Sequence, residues 1–256
     1  MYLIDSHCHL DFKQFDLDRE NILTRCQQLG INDIVIPGVT ANSWDNLLAV
    51  CQKFTMLHPA LGLHPMFMNE HQPEHLNQLT AQISNHHIIA IGEIGLDFYI
   101  ADHDKDSQIH LFTEQLKIAQ QSKLPVLLHV RKAHDQTITL LKKYPVSGGI
   151  IHAFSGSLQQ ARQYQELDFL LGIGGAITHP KATRLRAMVS QLSLSSIALE
   201  TDAPDMPLYL MKQQHNTPEN IAVILDVLTT LRSESNDEIA LATSTNCRRV
   251  LKLINK

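Results

Sequence analysis

Two histidines spaced two residues apart, His7 and His9, open a chain in which imidazoles and carboxylates recur at wide intervals: His64, Glu93, His129, His152 and Asp202. Each stands at or just beyond a short apolar run. Imidazole nitrogen and carboxylate oxygen are the donors that hold zinc, manganese and similar ions in hydrolytic sites. On extended chain the spacing of His7 and His9 points both rings to one side and turns the intervening Cys8 away, into the apolar interior. A lone His-x-His pair is more often incidental than a ligand set, and so is any one of the other histidines. The pair gains weight only if the fold carries the remaining donors to it.

The elements implied by the sequence do that. Apolar, β-rich runs alternate with segments of helical period from end to end, the pattern of repeated βα units around a parallel sheet. Eight strands are expected, at Leu3 to Asp5, Asp33 to Val39, Thr55 to Leu61, Ile88 to Ile91, Val126 to His129, Gly149 to His152, Phe169 to Gly174 and Ile197 to Leu199. Ile109, Phe112, Leu116 and Ala119 share one face of a helix that must end before Pro125. Asn216 to Leu231 and Asn236 to Leu253 read as a closing helix and an extra one. The chain has 256 residues, a length that suits a barrel of ~250 residues. The expected fold is therefore α/β, a TIM (β/α)8 barrel formed as one domain over residues 1–256.

On this map His7 and His9 follow strand one, His64 follows strand three, Glu93 follows strand four, His129 ends strand five, His152 ends strand six and Asp202 follows strand eight. A barrel gathers its C-terminal strand ends on one rim. The implied centre holds two divalent ions, His7, His9 and Asp202 at one and His129 and His152 at the other, with Glu93 as the bridge at the ~3.5 to 4 Å separation of two-metal hydrolases. Asp202 and Glu93 are the expected catalytic carboxylates, Asp202 as acceptor of a proton from a metal-bound water. His64 and Arg131 are the expected substrate-binding groups, Arg131 because its planar fork suits phosphate and His64 because of its place on the rim. Phe67, Phe98, Tyr99 and Phe154 are candidates to stack on bases. His71, His75, His86, His87, His103 and His110 fall in helices or connections and are expected at the surface, while His179 and His215 fall in loops within possible reach of the rim.

Composition narrows the classes. Hydrophobic residues make up 44% and charged residues 18%, enough apolar material for a core and too little charge for disorder. The net charge of −5 excludes a global basic field, so a phosphate partner must be held locally, as a cluster of divalent cations does. The four cysteines, Cys8, Cys26, Cys51 and Cys247, form no Cys-x-x-Cys pair and suit reduced thiols. The start lacks the basic and apolar regions of a signal peptide, and no apolar run reaches the ~20 residues of a membrane span. A cytoplasmic enzyme with no membrane partner and no stable protein partner is expected.

Over nearly its whole length the sequence resembles the TatD metal-dependent deoxyribonucleases. The resemblance rests on Asp5-Ser6-His7-Cys8-His9-Leu10-Asp11, Gly62-Leu63-His64-Pro65, Gly92-Glu93-Ile94-Gly95-Leu96-Asp97, Pro125-Val126-Leu127-Leu128-His129-Val130-Arg131, His152-Ala153-Phe154-Ser155-Gly156-Ser157 and Glu200-Thr201-Asp202-Ala203-Pro204. It implies a TIM barrel with two divalent ions, magnesium, manganese or zinc. His7, His9, Glu93 and Asp202 would hold one, and Glu93, His129 and His152 the other. It also implies release of nucleotides from the 3′ end of single-stranded DNA or RNA, nucleic acid being the expected partner, or, as in some relatives, deacylation of D-aminoacyl-tRNA. The chain departs from many members after Pro204, with Asp205-Met206-Pro207 in place of a Tyr-Leu pair. A small-molecule amidohydrolase or esterase on the same site is the alternative, because a barrel alone does not choose a substrate. A binding protein without chemistry is disfavoured by the cost of burying so many ionisable groups.

Overall fold

The computed structural model describes residues 1–100, 104–209, 211 and 215–253; His103 lies outside the described residues. Eight parallel strands follow one another around a single sheet in chain order: β1 (Leu3–Asp5), β2 (Ile31–Pro37), β3 (Leu57–Leu61), β4 (Ala90–Asp97), β5 (Val126–Arg131), β6 (Gly149–Ile151), β7 (Phe169–Ile173) and β8 (Ile197–Leu199). Between them lie α1 (Arg19–Gln28), α2 (Trp44–Lys53), α3 (Glu74–Asn85), α4 (Lys105–Ser122), α5 (His134–Lys143), α6 (Leu158–Glu166) and α7 (Thr183–Val189), and after β8 come α8 (Ile221–Thr230) and α9 (Asn236–Leu251). Sequential parallel order is what right-handed βα crossovers generate. The sheet is a nearly closed TIM barrel. Its seam is bridged beyond the strand ends, where Ser6 N donates to Leu199 O at 2.9 Å and Asp202 N to His7 O at 2.8 Å.

Each strand turns one apolar residue into the barrel: Ile4, Val35, Ala60, Ala90, Leu127, Ile150, Leu170 and Ala198. Cys247, Val250 and Leu251 of α9 join this layer, and Ser244 Oγ donates to Tyr2 O at 2.8 Å. The extra helix expected from sequence is therefore a plug across the mouth where the strands begin. Strand residues of the other face pack on the surrounding helices; Phe112, Leu116 and Ala119 of α4 are buried as their spacing requires, with Ile109 half-buried. Among the described residues no helix is long and apolar enough to cross a membrane.

One boundary differs in a way that matters. Glu93 lies inside β4 rather than after it, because β4 extends to Asp97 instead of stopping near Ile91. Gly92 and Gly95 mark close approach: a Cβ on Gly95, whose φ is +144°, would sit 2.0 Å from His129 O. The β4–β5 register shifts between Ile91 and Ile94, and Glu93 N donates to Gly38 O at 2.9 Å. His86, His87 and His110 are exposed as expected, whereas His75 is half-buried; His179 and His215 are exposed. His71 is half-buried, its Nε2 2.9 Å from His64 O.

Where α5 meets α6, His134 is buried with Nδ1 3.2 Å from the Tyr164 hydroxyl and its ring edge-on to Phe154 at 5.3 Å. Burial, opposed in part by Asp135, pushes its pKa down to about 4, while the unfolded imidazole titrates near ~6.5. Between those values the unfolded chain binds the additional proton, so this contribution to stability is complete above ~6.5 and is lost as pH falls toward 4. In urea melts from pH 7 to pH 4 the wild type should lose roughly 2 to 3 kcal/mol more than His134→Gln. Parallel losses in the two proteins would mean that this ring does not carry the dependence.

Candidate metal centre

Glu93 is the hub of the rim. Its Oε2 lies 3.2 Å from His7 Nε2 and 3.7 Å from His9 Nε2, and its Oε1 lies 3.3 Å from both His64 Nε2 and His129 Nδ1. Asp202 faces it across the barrel, Oδ1 3.7 Å from His7 Nε2 and His9 Nε2, Oδ2 3.7 Å from His152 Nε2. All six expected ligands and His64 thus meet in one volume with little or no exposure to solvent. Arg131 does not join them; it is exposed at the end of β5, with its guanidinium 3.8 Å from the centre of the Tyr99 ring.

Three compact groups among the described residues can each hold an ion: His7, His9 and Asp202; His7, Glu93 and His152; His64, Glu93 and His129. The trio Glu93, His129 and His152 expected for a second ion is not among them. The His152 ring stacks on His7 at 3.9 Å, and His129 sits edge-on to His64 at 4.4 Å. The donor set nevertheless fits divalent metal, since it mixes imidazole nitrogen with carboxylate oxygen. His7 Nε2, buried with no hydrogen-bond partner, is a lone donor atom aimed at two carboxylates, the kind of orphan that calls for an explanation.

The rings are held from outside. His9 Nδ1 is 3.2 Å from Pro37 O, His129 Nε2 is 3.0 Å from Asp97 Oδ2, and His152 Nδ1 is 3.1 Å from Glu200 Oε1. Glu200 Oε1 also accepts from Ala153 N at 2.7 Å. Two buried glutamines of α4 then grip the backbone of the site. Gln108 bonds both Asp97 N (2.9 Å) and Asp97 O (3.1 Å), and Gln115 bonds both Leu63 N (2.8 Å) and Leu63 O (3.1 Å). Sequence reasoning assigned no role to Asp97, Glu200, Gln108 or Gln115. The available signal was even spacing along a strand, Asp97 four after Glu93 and Glu200 two before Asp202, and two glutamines seven apart on an apolar helix face.

The charges are balanced by contact. Burial works to raise the Glu93 carboxyl, but His64, His7 and His129 around it hold it well below the ordinary range. Burial lifts Asp202 to about 6, against the pull of His152 and His7. Burial, with His7 adding to it, drives His9 down to about 3, leaving a neutral ring with a lone pair to offer.

Fold and rim together define the class, a TIM barrel of the metal-dependent hydrolase type. Within it the chain belongs to the TatD-related DNase family, whose model matches residues 4–252. It is 42% identical over 246 residues to the uncharacterized metal-dependent hydrolase YjjV of Escherichia coli K12, covering 95% of each chain. The crystal structure of YjjV, a TatD homologue from Escherichia coli K12, superimposes with a TM-score of 0.95 at 40% identity, covering 98% of each chain. A more distant relative, 29% identical over 259 residues and 97% of each chain, is the 3′-5′ ssDNA/RNA exonuclease TatD of Cronobacter sakazakii.

Gly172 offers a test of the outer contacts, since a Cβ there would fall 2.1 Å from Glu200 Oε2 and 2.9 Å from Ile151 O. Gly172→Ala should cost about 1 to 3 kcal/mol in urea denaturation and weaken divalent-ion binding by ~10- to 100-fold in calorimetric titration. Unchanged metal affinity would remove Glu200 as the group that orients His152.

Proposed function

We propose that this chain is a metal-dependent phosphodiesterase that removes nucleotides from the 3′ end of single-stranded DNA or RNA. The observation that carries the reading is the convergence of four imidazoles and two carboxylates on one rim beside an exposed Arg131–Tyr99 pair. The activity named for the Cronobacter relative supports it. Divalent ions held by His7, His9, Glu93 and Asp202 and by Glu93, His129 and His152 would supply Lewis-acid polarisation of a phosphoryl oxygen and acidify water.

The protein's own groups do the rest. Asp202 takes the proton that the attacking water releases, and Glu93 holds the imidazoles around it in place through contacts to His7, His64 and His129. Arg131 and His64 contact the phosphate, one from the open side and one from the buried side. Tyr99 is 60% exposed and, backed by Arg131, presents one face to a terminal base. Phe154, at 2% exposure, belongs to the core instead, and Phe67 and Phe98 are half-buried.

Protein stripped by a chelator and reloaded with manganese should shorten a 5′-labelled single strand one nucleotide at a time. Asp202→Asn should lower that rate by ~10²-fold or more with an unchanged thermal melt. Turnover of a lactone or amide without strand shortening would transfer the site to small-molecule hydrolysis. Tyr99→Ala should raise KM for the strand by about 5- to 100-fold, the equivalent of ~1 to 3 kcal/mol for one stacked base, while leaving KM for a small aryl phosphodiester unchanged. An equal loss on both substrates would eliminate stacking as the role of Tyr99.

A further inference from the structure

The five rim imidazoles are not equivalent, and their outer partners sort them. A carbonyl or carboxylate oxygen can only accept, so the ring nitrogen facing it carries the proton and the opposite nitrogen presents a lone pair. Pro37 O does this to His9 and Asp97 to His129. Each of these rings is thereby oriented to give its opposite nitrogen to a metal ion.

His64 is wired the other way. It is the residue before Pro65, which opens a 3-10 turn over Pro65–Glu70, and proline has no N–H. The first N–H of the turn belongs to Met66, and it is accepted by His64 Nδ1 at 3.1 Å. A main-chain N–H can only donate, so Nδ1 holds a lone pair and the ring proton resides on Nε2, 3.3 Å from Glu93 Oε1. Ligation through Nε2, or a doubly protonated ring, would put a proton on Nδ1 against the Met66 N–H and break the turn's cap. The segment is held on every side: His64 N donates to Val39 O at 2.9 Å, His71 Nε2 reaches His64 O, and Gln115 grips Leu63.

We infer that His64 is a neutral imidazole locked as an Nε2–H donor at the centre, neither a metal ligand nor a proton-transfer acid, and that it offers this N–H to an anionic oxygen of the substrate. The last part rests on the phosphodiesterase reading; the tautomer and the exclusion from metal binding do not. The two rings that meet Glu93 Oε1 at 3.3 Å differ in their outer partners: His64 Nδ1 accepts from Met66 N–H, whereas His129 Nε2 faces the Asp97 carboxylate at 3.0 Å.

The test uses the whole chain with ¹⁵N-labelled histidine. Long-range proton–nitrogen spectra should show His64 protonated on Nε2 and bare on Nδ1, before and after loading with zinc. Zinc titration of His64→Gln should give the wild-type stoichiometry with affinity changed by less than about threefold, whereas His129→Gln should lose ~10-fold or more. In the loaded enzyme His64→Gln, whose amide keeps an N–H, should retain more kcat than His64→Ala on strand and small phosphodiester alike. Loss of an ion or a tenfold weaker affinity in His64→Gln, or an Nε2 that sheds its proton on loading, would overturn the assignment. Absence of strand cleavage by the wild type would overturn the function instead, because spectra and titration involve no nuclease assay.

Discussion

The buried carboxylate of Asp5 ties the first strand to the last. Its Oδ1 accepts from Thr201 N at 3.0 Å and from His7 N at 3.2 Å, and its Oδ2 accepts from Thr201 Oγ1 at 2.5 Å. These bonds join residues nearly two hundred positions apart, across the seam where the strand ladder is incomplete. His7 and His9 hang from one side of that junction and Asp202 from the other. Burial raises the Asp5 carboxyl to about 8 even though Thr201 and His7 donate to it. With the main-chain bonds from Asp202 N to His7 O at 2.8 Å and from His9 N to Ala203 O at 2.7 Å, it sets the distance between Asp202 and the paired histidines.

The same logic runs outward from Glu93. A fully buried carboxylate is tolerable only when donors or cations surround it, and four imidazoles do so here. Three of them have the far nitrogen met from outside, His129 by Asp97, His9 by Pro37 O and His64 by Met66 N–H. Asp97 is fixed in turn by Gln108, and Met66 N–H by the turn after Pro65. The rim is thus a set of nested shells in which the polarity of each contact dictates the next. Divalent affinity and catalytic geometry depend on the outer shells as much as on the ligands themselves.

Much of the fold was legible because barrel strands and helices differ in apolar period and because length suits eight βα units. The rim positions were legible too, since metal-capable residues coincide with strand ends. Where sequence failed, it failed for a physical cause. The fourth strand was expected to stop at Ile91, and only the approach of β5, with His129 O against Gly95, shows why it runs on through Gly92 and Gly95. Gln108 and Gln115 sit on an apolar face where their amides look out of place until the backbone they grip is known. Arg131 was expected as a substrate-binding group, and what spacing did not foretell is that its guanidinium lies over the Tyr99 ring.

The two mouths of the barrel show how structural and functional polar groups differ. At the plugged mouth Asp33 is paired with the Tyr2 hydroxyl and, at 2.6 Å, with His58 Nε2, and Arg248 lies over the Tyr2 ring at 3.9 Å. These groups have complementary neighbours, which is what stability alone would arrange. At the open mouth His7 Nε2 has no hydrogen-bond partner, although carboxylate oxygens of Glu93 and Asp202 lie 3.2 and 3.7 Å from it. A fold selected only for stability would remove such a conflict, because replacing those groups with apolar ones is favourable. Its concentration at the C-terminal rim, over a core that α9 seals from the other side, is the mark of a centre built to be completed by something the chain does not itself contain.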